Sequence, residues 1–179
     1  MRGEAFLTLL VSVTGIAAAQ DPPRVYPGER LLSLTAGVGN AMGWFGAQGE
    51  RYLLDERISV FVGLGYTPQL DPGDPTGPTF AVGLRSFTSG LRHRLFVETS
   101  ASQVVVVTGG GQDGSRHYGP GLQTGYQFVS RGGFTFMASV GAGYALGVPR
   151  GLDPWATQVG LGLGYTWRRS HGAGERRRM

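Results

Sequence analysis

Large apolar side chains recur at every second position over most of the chain. Between 58 and 66, Ile58, Val60, Val62, Leu64 and Tyr66 share one parity, and Ser59, Phe61, Gly63 and Gly65 take the other. Between 118 and 128, Tyr118, Leu122, Tyr126 and Phe128 oppose Gly119, Gly121, Gln123, Gly125 and Gln127. Phe134 to Leu146 repeats the scheme against Thr135, Met137, Ser139, Gly141, Gly143 and Ala145, and Trp155 to Trp167 repeats it against Gly160, Gly162 and Gly164. Successive side chains of a strand point to opposite faces, so a period of two predicts β-strands. Beyond the N-terminal stretch there is no sustained helical stripe. The pattern places eight strands near 30–40, 44–54, 57–67, 78–87, 94–107, 116–129, 133–147 and 155–168. Two are irregular. Segment 44–54 puts either Glu50 or Arg51 on the apolar face, and the run Val104–Val107 breaks the alternation, which a bulge would restore.

Most of these strands are longer than the ~5–6 residues usual in soluble sheets and match the ~9–11 residues of a tilted strand crossing a bilayer. The face opposite the apolar one holds Gly, Ala, Ser, Thr and Gln, too few charges for the wetted outside of a soluble barrel. Turned inward, those small residues suit the narrow interior that eight strands enclose. The 32 glycines in 179 residues then answer a crowding problem. The expectation is an all-β fold, an eight-stranded antiparallel up-and-down transmembrane barrel.

Aromatic positions and connection lengths agree. With strands alternating up and down, Trp44, Tyr66, Tyr118, Tyr144 and Trp155 fall near one rim, and Phe87, Phe128, Phe134 and Trp167 near the other. Two such girdles suit the two membrane–water interfaces. Links on the second rim are short (Asp55-Glu56, Thr88 to Arg92, Ser130 to Gly133). Those on the first are mostly longer (Thr67 to Gly77, Thr108 to Ser115, Val148 to Pro154), the asymmetry of bacterial outer-membrane barrels.

Residues 5–19, AFLTLLVSVTGIAAA, form an apolar run behind Arg2 that ends in three alanines. This reads as a signal peptide cleaved after Ala19, and 15 residues fall short of the ~20 a spanning helix needs. The organisation expected is a leader at 1–19, a periplasmic segment at 20–29, a barrel at 30–168 and a basic tail at 169–179. The formal charge of +4 does not mark a nucleic-acid surface, because ten Arg balance ten acidic residues between Gln20 and Trp167 and the excess lies in the tail.

With these features in place, the chain resembles the outer membrane β-barrel family, the eight-stranded group of OmpA-like transmembrane domains and OmpX-like proteins. The likeness covers nearly all of 30–167. It is carried by GAQGERYLLDERISVFVGLGYTP at 46–68 and by the closing VGLGLGYTW, where Gly162, Tyr165 and Trp167 are similar to the family's C-terminal assembly signal. The resemblance implies localisation in the cell outer membrane, contact with its lipid and lipopolysaccharide, insertion by the outer-membrane assembly machinery, and a monomer.

Candidate chemistry is sparse. There is no Cys, which excludes thiolate metal sites and Cys nucleophiles. His93 and His117 are expected on opposite rims, with His171 in the tail. His117 with Ser115 and Asp113 forms the one outer cluster, read as a solvated loop because consecutive loop residues rarely hold triad geometry. The GGGQDG at 109–114 and the pair Asp71 and Asp74 read as turn formers rather than calcium ligands. No catalytic, metal or cofactor-binding residue is assigned, and no enzymatic activity is expected. By parity, Arg85 and Glu98 point inward on adjacent strands, where Gln123, Gln127 and Gln158 could join them. This lumen polar network is expected to act as a structural plug or as the gate of a narrow pore. The function expected is a structural, surface-exposed or narrow-pore outer-membrane barrel. The alternatives are a lipid A-modifying enzyme of the same fold and a secreted soluble ligand-binding barrel.

Overall fold

The computed structural model describes residues 29–39, 42–69, 76–90, 92–107 and 114–169. The leader, the tail beyond Arg169, Asp71, Asp74, Asp113, His171 and all of GGGQDG except Gly114 lie outside the described residues. Eight strands follow one another: β1 (Glu29–Gly39), β2 (Gly43–Leu53), β3 (Ile58–Thr67), β4 (Gly77–Phe87), β5 (His93–Val107), β6 (Gly114–Val129), β7 (Phe134–Tyr144) and β8 (Trp155–Arg169). Each pairs antiparallel with the next, and β8 returns to β1 to close the barrel. Closure matters because it leaves no strand edge with unpaired backbone groups. The two ends of the barrel are called the terminal rim, where β1 starts and β8 finishes, and the distal rim.

Alternation sets the faces as expected. Val60, Val62, Leu64 and Tyr66 of β3 are exposed outside, while Ser59, Phe61 and Gly63 are buried inside. In β2 the ambiguity is resolved: Glu50 points into the lumen and Arg51 points out, two residues from the turn. At that rim a long arginine can extend its charged head toward water. Two consecutive outward residues, Trp44 and Phe45, mark an irregularity where the β2–β3 register shifts between Gly43 and Phe45.

Two sequence expectations change. No bulge interrupts β5 against β6, whose register runs unbroken from His93↔Phe128 to Val107↔Gly114. The valine run keeps its parity because Val104 faces inward and finds an apolar partner in Ala145. The register shifts lie instead in β1 and β2. Strand β7 stops at Tyr144 rather than near 147, since the amides of Ala145 and Leu146 bond Pro154 O and Tyr118 O outside the β7–β8 ladder.

The core is the lumen. Met42, Tyr52, Phe61, Ala81, Phe87, Phe96 and Met137 form its apolar cluster. Met42 arrives from the short β1–β2 turn, closed by its amide on Gly39 O, and its side chain reaches mid-barrel, where a Cβ at Gly162 would lie 3.5 Å from its Cε.

Candidate functional site in the barrel lumen

The lumen divides into two unlike halves. In the terminal half, Arg85 of β4 is 2% exposed and lies between two rings, its Cζ 4.5 Å from the Phe61 centroid and 4.9 Å from that of Phe96. Glycines make room for those rings: a Cβ at Gly83 would sit 2.7 Å from the Phe61 ring, and one at Gly125 would collide with Phe96. Stacking on aromatic faces holds the flat guanidinium and leaves its edge free for hydrogen bonds.

That edge forms hydrogen bonds through Nε and Nη2, while Nη1 has an ion-pair contact alone. Arg85 Nε donates to Glu98 Oε2 at 2.7 Å, and Nη2 lies 2.7 Å from the same oxygen. Nη2 also donates to Gln48 Oε1 at 3.0 Å, and Nη1 is 3.4 Å from Glu50 Oε1. Glu50 in turn accepts from Ser59 Oγ at 2.5 Å, Tyr52 OH at 3.2 Å and Gln127 Nε2 at 3.3 Å. One cation therefore serves two buried carboxylates, whose remaining oxygen positions are met by neutral donors. Buried charges persist only when paired and hydrogen-bonded in this way.

A second charged layer lies nearer the terminal rim. Arg94 packs its Cζ 4.0 Å from the Phe87 ring centroid and 5.1 Å from that of Tyr52, and donates to Gln127 Oε1 at 2.6 Å. Its Nη1 donates to Glu56 O at 3.0 Å. The Glu56 carboxylate lies 3.1 Å from Arg30 Nη1 and 3.6 Å from Arg94 Nη1, and it accepts from the Arg30 amide at 2.6 Å. Glu56 reaches this position through a turn in which Leu54, Asp55 and Glu56 all have positive φ. Left-handed backbone costs ~1–2 kcal/mol for each non-glycine residue, and the two arginines that hold Glu56 offset part of that strain.

The residues expected to form the lumen network come together on two branches. Gln123 Nε2 lies 3.4 Å from both Glu98 Oε1 and Gln158 Oε1, and Ser139 Oγ donates to Gln123 Oε1 at 2.9 Å. Gln127 belongs to the other branch, through Glu50, Tyr52 and Arg94. Sequence reading missed Glu50, Gln48, Tyr52, Arg94, Arg30 and Glu56. The signal for Glu50, Gln48, Tyr52 and Arg94 was parity, since the first three share one face of β2 and Arg94 shares that of Glu98.

Parity also corrects one girdle residue. Phe87 is two positions from Arg85, so it points inward and is 3% exposed, its ring 5.8 Å from those of Tyr52 and Phe96. Trp44, Tyr66, Tyr118, Tyr144 and Trp155 are exposed outside toward the distal rim, and Phe134 and Trp167 toward the terminal rim, where Phe128 is half-buried. Gly162 faces the lumen, while Tyr165 and Trp167 face out and pack edge to face at 5.1 Å.

The distal half is different. Above Met42 lies a cavity of about 620 Å³, lined among others by Thr79, Gln103, Val104, Ala156, Gln158 and Gly160. Between it and the Arg85 cluster, at Met42, Gln48 and Glu98, the free space falls to about 10 Å³. His93 and His117 stand at opposite ends as expected. His117 Nε2 is 2.9 Å from Ser115 Oγ, and its Nδ1 is 3.1 Å from Leu146 O, so the ring ties the β7–β8 connection to β6. Among the described residues no group of three or more acidic or histidine side chains is placed to hold a cation. Comparison of the chain with family models, curated proteins and solved structures gives no match.

Proposed function

We propose that this chain is an integral outer-membrane barrel whose lumen is closed by a charged plug, and that it serves as a structural, surface-exposed scaffold rather than an open pore. The terminal rim would face the periplasm and the distal rim the exterior. The observation that carries this reading is the inverted distribution of polarity. Exposed large hydrophobics occur on all eight strands, among them Leu34, Phe45, Val62, Val82, Leu95, Tyr118, Val140 and Leu161. The buried charges Arg30, Glu50, Arg85, Arg94 and Glu98 point the other way. A barrel in water exposing such a belt would carry an apolar surface far beyond the few hundred Å² that monomers tolerate. In lipid the same belt is the solvated face. The closed lumen is supported by the two layers of paired charges, which occupy the cross-section that eight strands leave.

The test is a charge placed on the belt. Val82 lies midway along β4 and is exposed. In lipid vesicles, Val82→Arg is expected to lower unfolding stability by ~2–4 kcal/mol, the cost of arginine near the bilayer midplane. A soluble barrel would tolerate the change and would leave carbonate-washed membranes, whereas the parent protein is expected to remain with them.

A further inference from the structure

We infer that the distal half of the lumen is a binding site for an uncharged, mainly apolar small molecule carrying one neutral hydrogen-bonding group, such as an amide, ester or alcohol. The cavity of about 620 Å³ falls within the ~300–1,000 Å³ typical of small-molecule sites. Toward the Arg85 cluster, the neighbouring space among Met42, Arg85 and Glu98 holds about 10 Å³, and the paired charges there occupy the lumen.

The lining defines the ligand. No charged side chain borders the cavity among the described residues, so a charged molecule would be buried without a counter-ion. Apolar walls come from Val104, Ala156 and bare backbone such as that of Gly39 and Gly160. Into this surface are set two inward-facing side chains with a polar atom left open: Nε2 of Gln158 and Oγ1 of Thr79. Gln158 and Thr79 are each 5% exposed. Buried polar groups are nearly always satisfied, and a donor and an acceptor left open beside a roomy apolar cavity point to a ligand that completes them.

The inference rests on the lumen geometry and goes beyond the membrane reading. The full chain, reconstituted in lipid nanodiscs, is dialysed against radiolabelled decanamide with empty discs as the partition baseline. Saturable binding of about one decanamide per barrel is expected. Replacing Thr79→Val together with Gln158→Leu should weaken decanamide by about tenfold or more and leave undecane within about twofold, because only the polar contacts are lost. Ala156→Trp, which fills the pocket, should abolish both, with heat-dependent gel mobility showing that the variant is folded. Mass spectrometry of an organic extract separates two sources. A neutral lipid bound one to one marks a bilayer-derived occupant, and a lipid-free protein that binds decanamide marks an external solute. Absence of both a bound lipid and a saturable component overturns the inference, as does a folded Ala156→Trp protein that retains the parent's binding. Carbonate extraction and Val82→Arg report on membrane residence independently of all these outcomes.

Discussion

The terminal and distal halves of this lumen are built on the same eight strands and the same inward parity, yet one is filled and the other hollow. In the terminal half, inward positions carry Tyr52, Phe61, Phe87, Phe96, Arg85 and Arg94. In the distal half the corresponding rows carry Gly39, Gly121, Gly141, Gly143, Gly160, Ser139 and Ala156. Strand number sets the width of a barrel, so side-chain volume alone decides whether that width is core or cavity. Charge follows the same division. The Arg85 edge faces Glu98, Glu50 and Gln48, while the polar side chains beside the cavity, among them Gln158 and Thr79, are neutral.

The comparison breaks most sharply at Arg85. Substituting Arg85→Met leaves Glu50 and Glu98 buried without their cation and is expected to cost about 3–5 kcal/mol in urea unfolding from lipid vesicles. Combining it with Glu50→Gln and Glu98→Gln should restore most of that loss, since it is the stranded charge that is costly. In planar bilayers the single variant is expected to show no stable openings, because the Arg94, Glu56 and Arg30 layer still closes the terminal rim. Stable conductance would show that the Arg85 layer alone seals the lumen.

A smaller effect is expected from volume. Gly125→Val drives a side chain into the Phe96 ring and should destabilise by ~1–3 kcal/mol, the usual cost of overpacking, read in the same unfolding assay. A comparable addition in the distal half, Ala156→Val, adds its methyl groups at the cavity wall beside Val104 and should change stability by less than ~0.5 kcal/mol. Equal losses at Gly125 and Ala156 would erase the distinction between the two halves.

The eight strands were legible because a closed barrel enforces period two: residues facing out meet one environment and residues facing in another. Edges at Gly39, Thr67, Phe87 and Val129 follow from turn residues and from the end of alternation. The Arg85–Glu98 pair was legible for the same reason, being inward on neighbouring strands, and the register places them directly opposite. Phe87 was misplaced because its size outweighed its parity, although sharing the face of Arg85 required it to point inward. Glu56 carried no pattern at all, since it enters the lumen through a left-handed turn that no periodicity describes.

By itself, the sequence determined the fold class, the strand order, the face of nearly every residue and the inward placement of the central ion pair, because all of these depend on local alternation. Only the tertiary structure decided that Glu50 lies among Arg85, Ser59, Tyr52 and Gln127, that Met42 drops from a rim turn to mid-barrel, and that the β4–β5 ladder stops short beside a cavity. Those features depend on the register between strands distant in sequence and on the volumes that meet across the lumen, for example Gln127 bonding Glu50 across 77 residues. Parity says which side chains share an interior, and shear, closure and packing decide which of them touch.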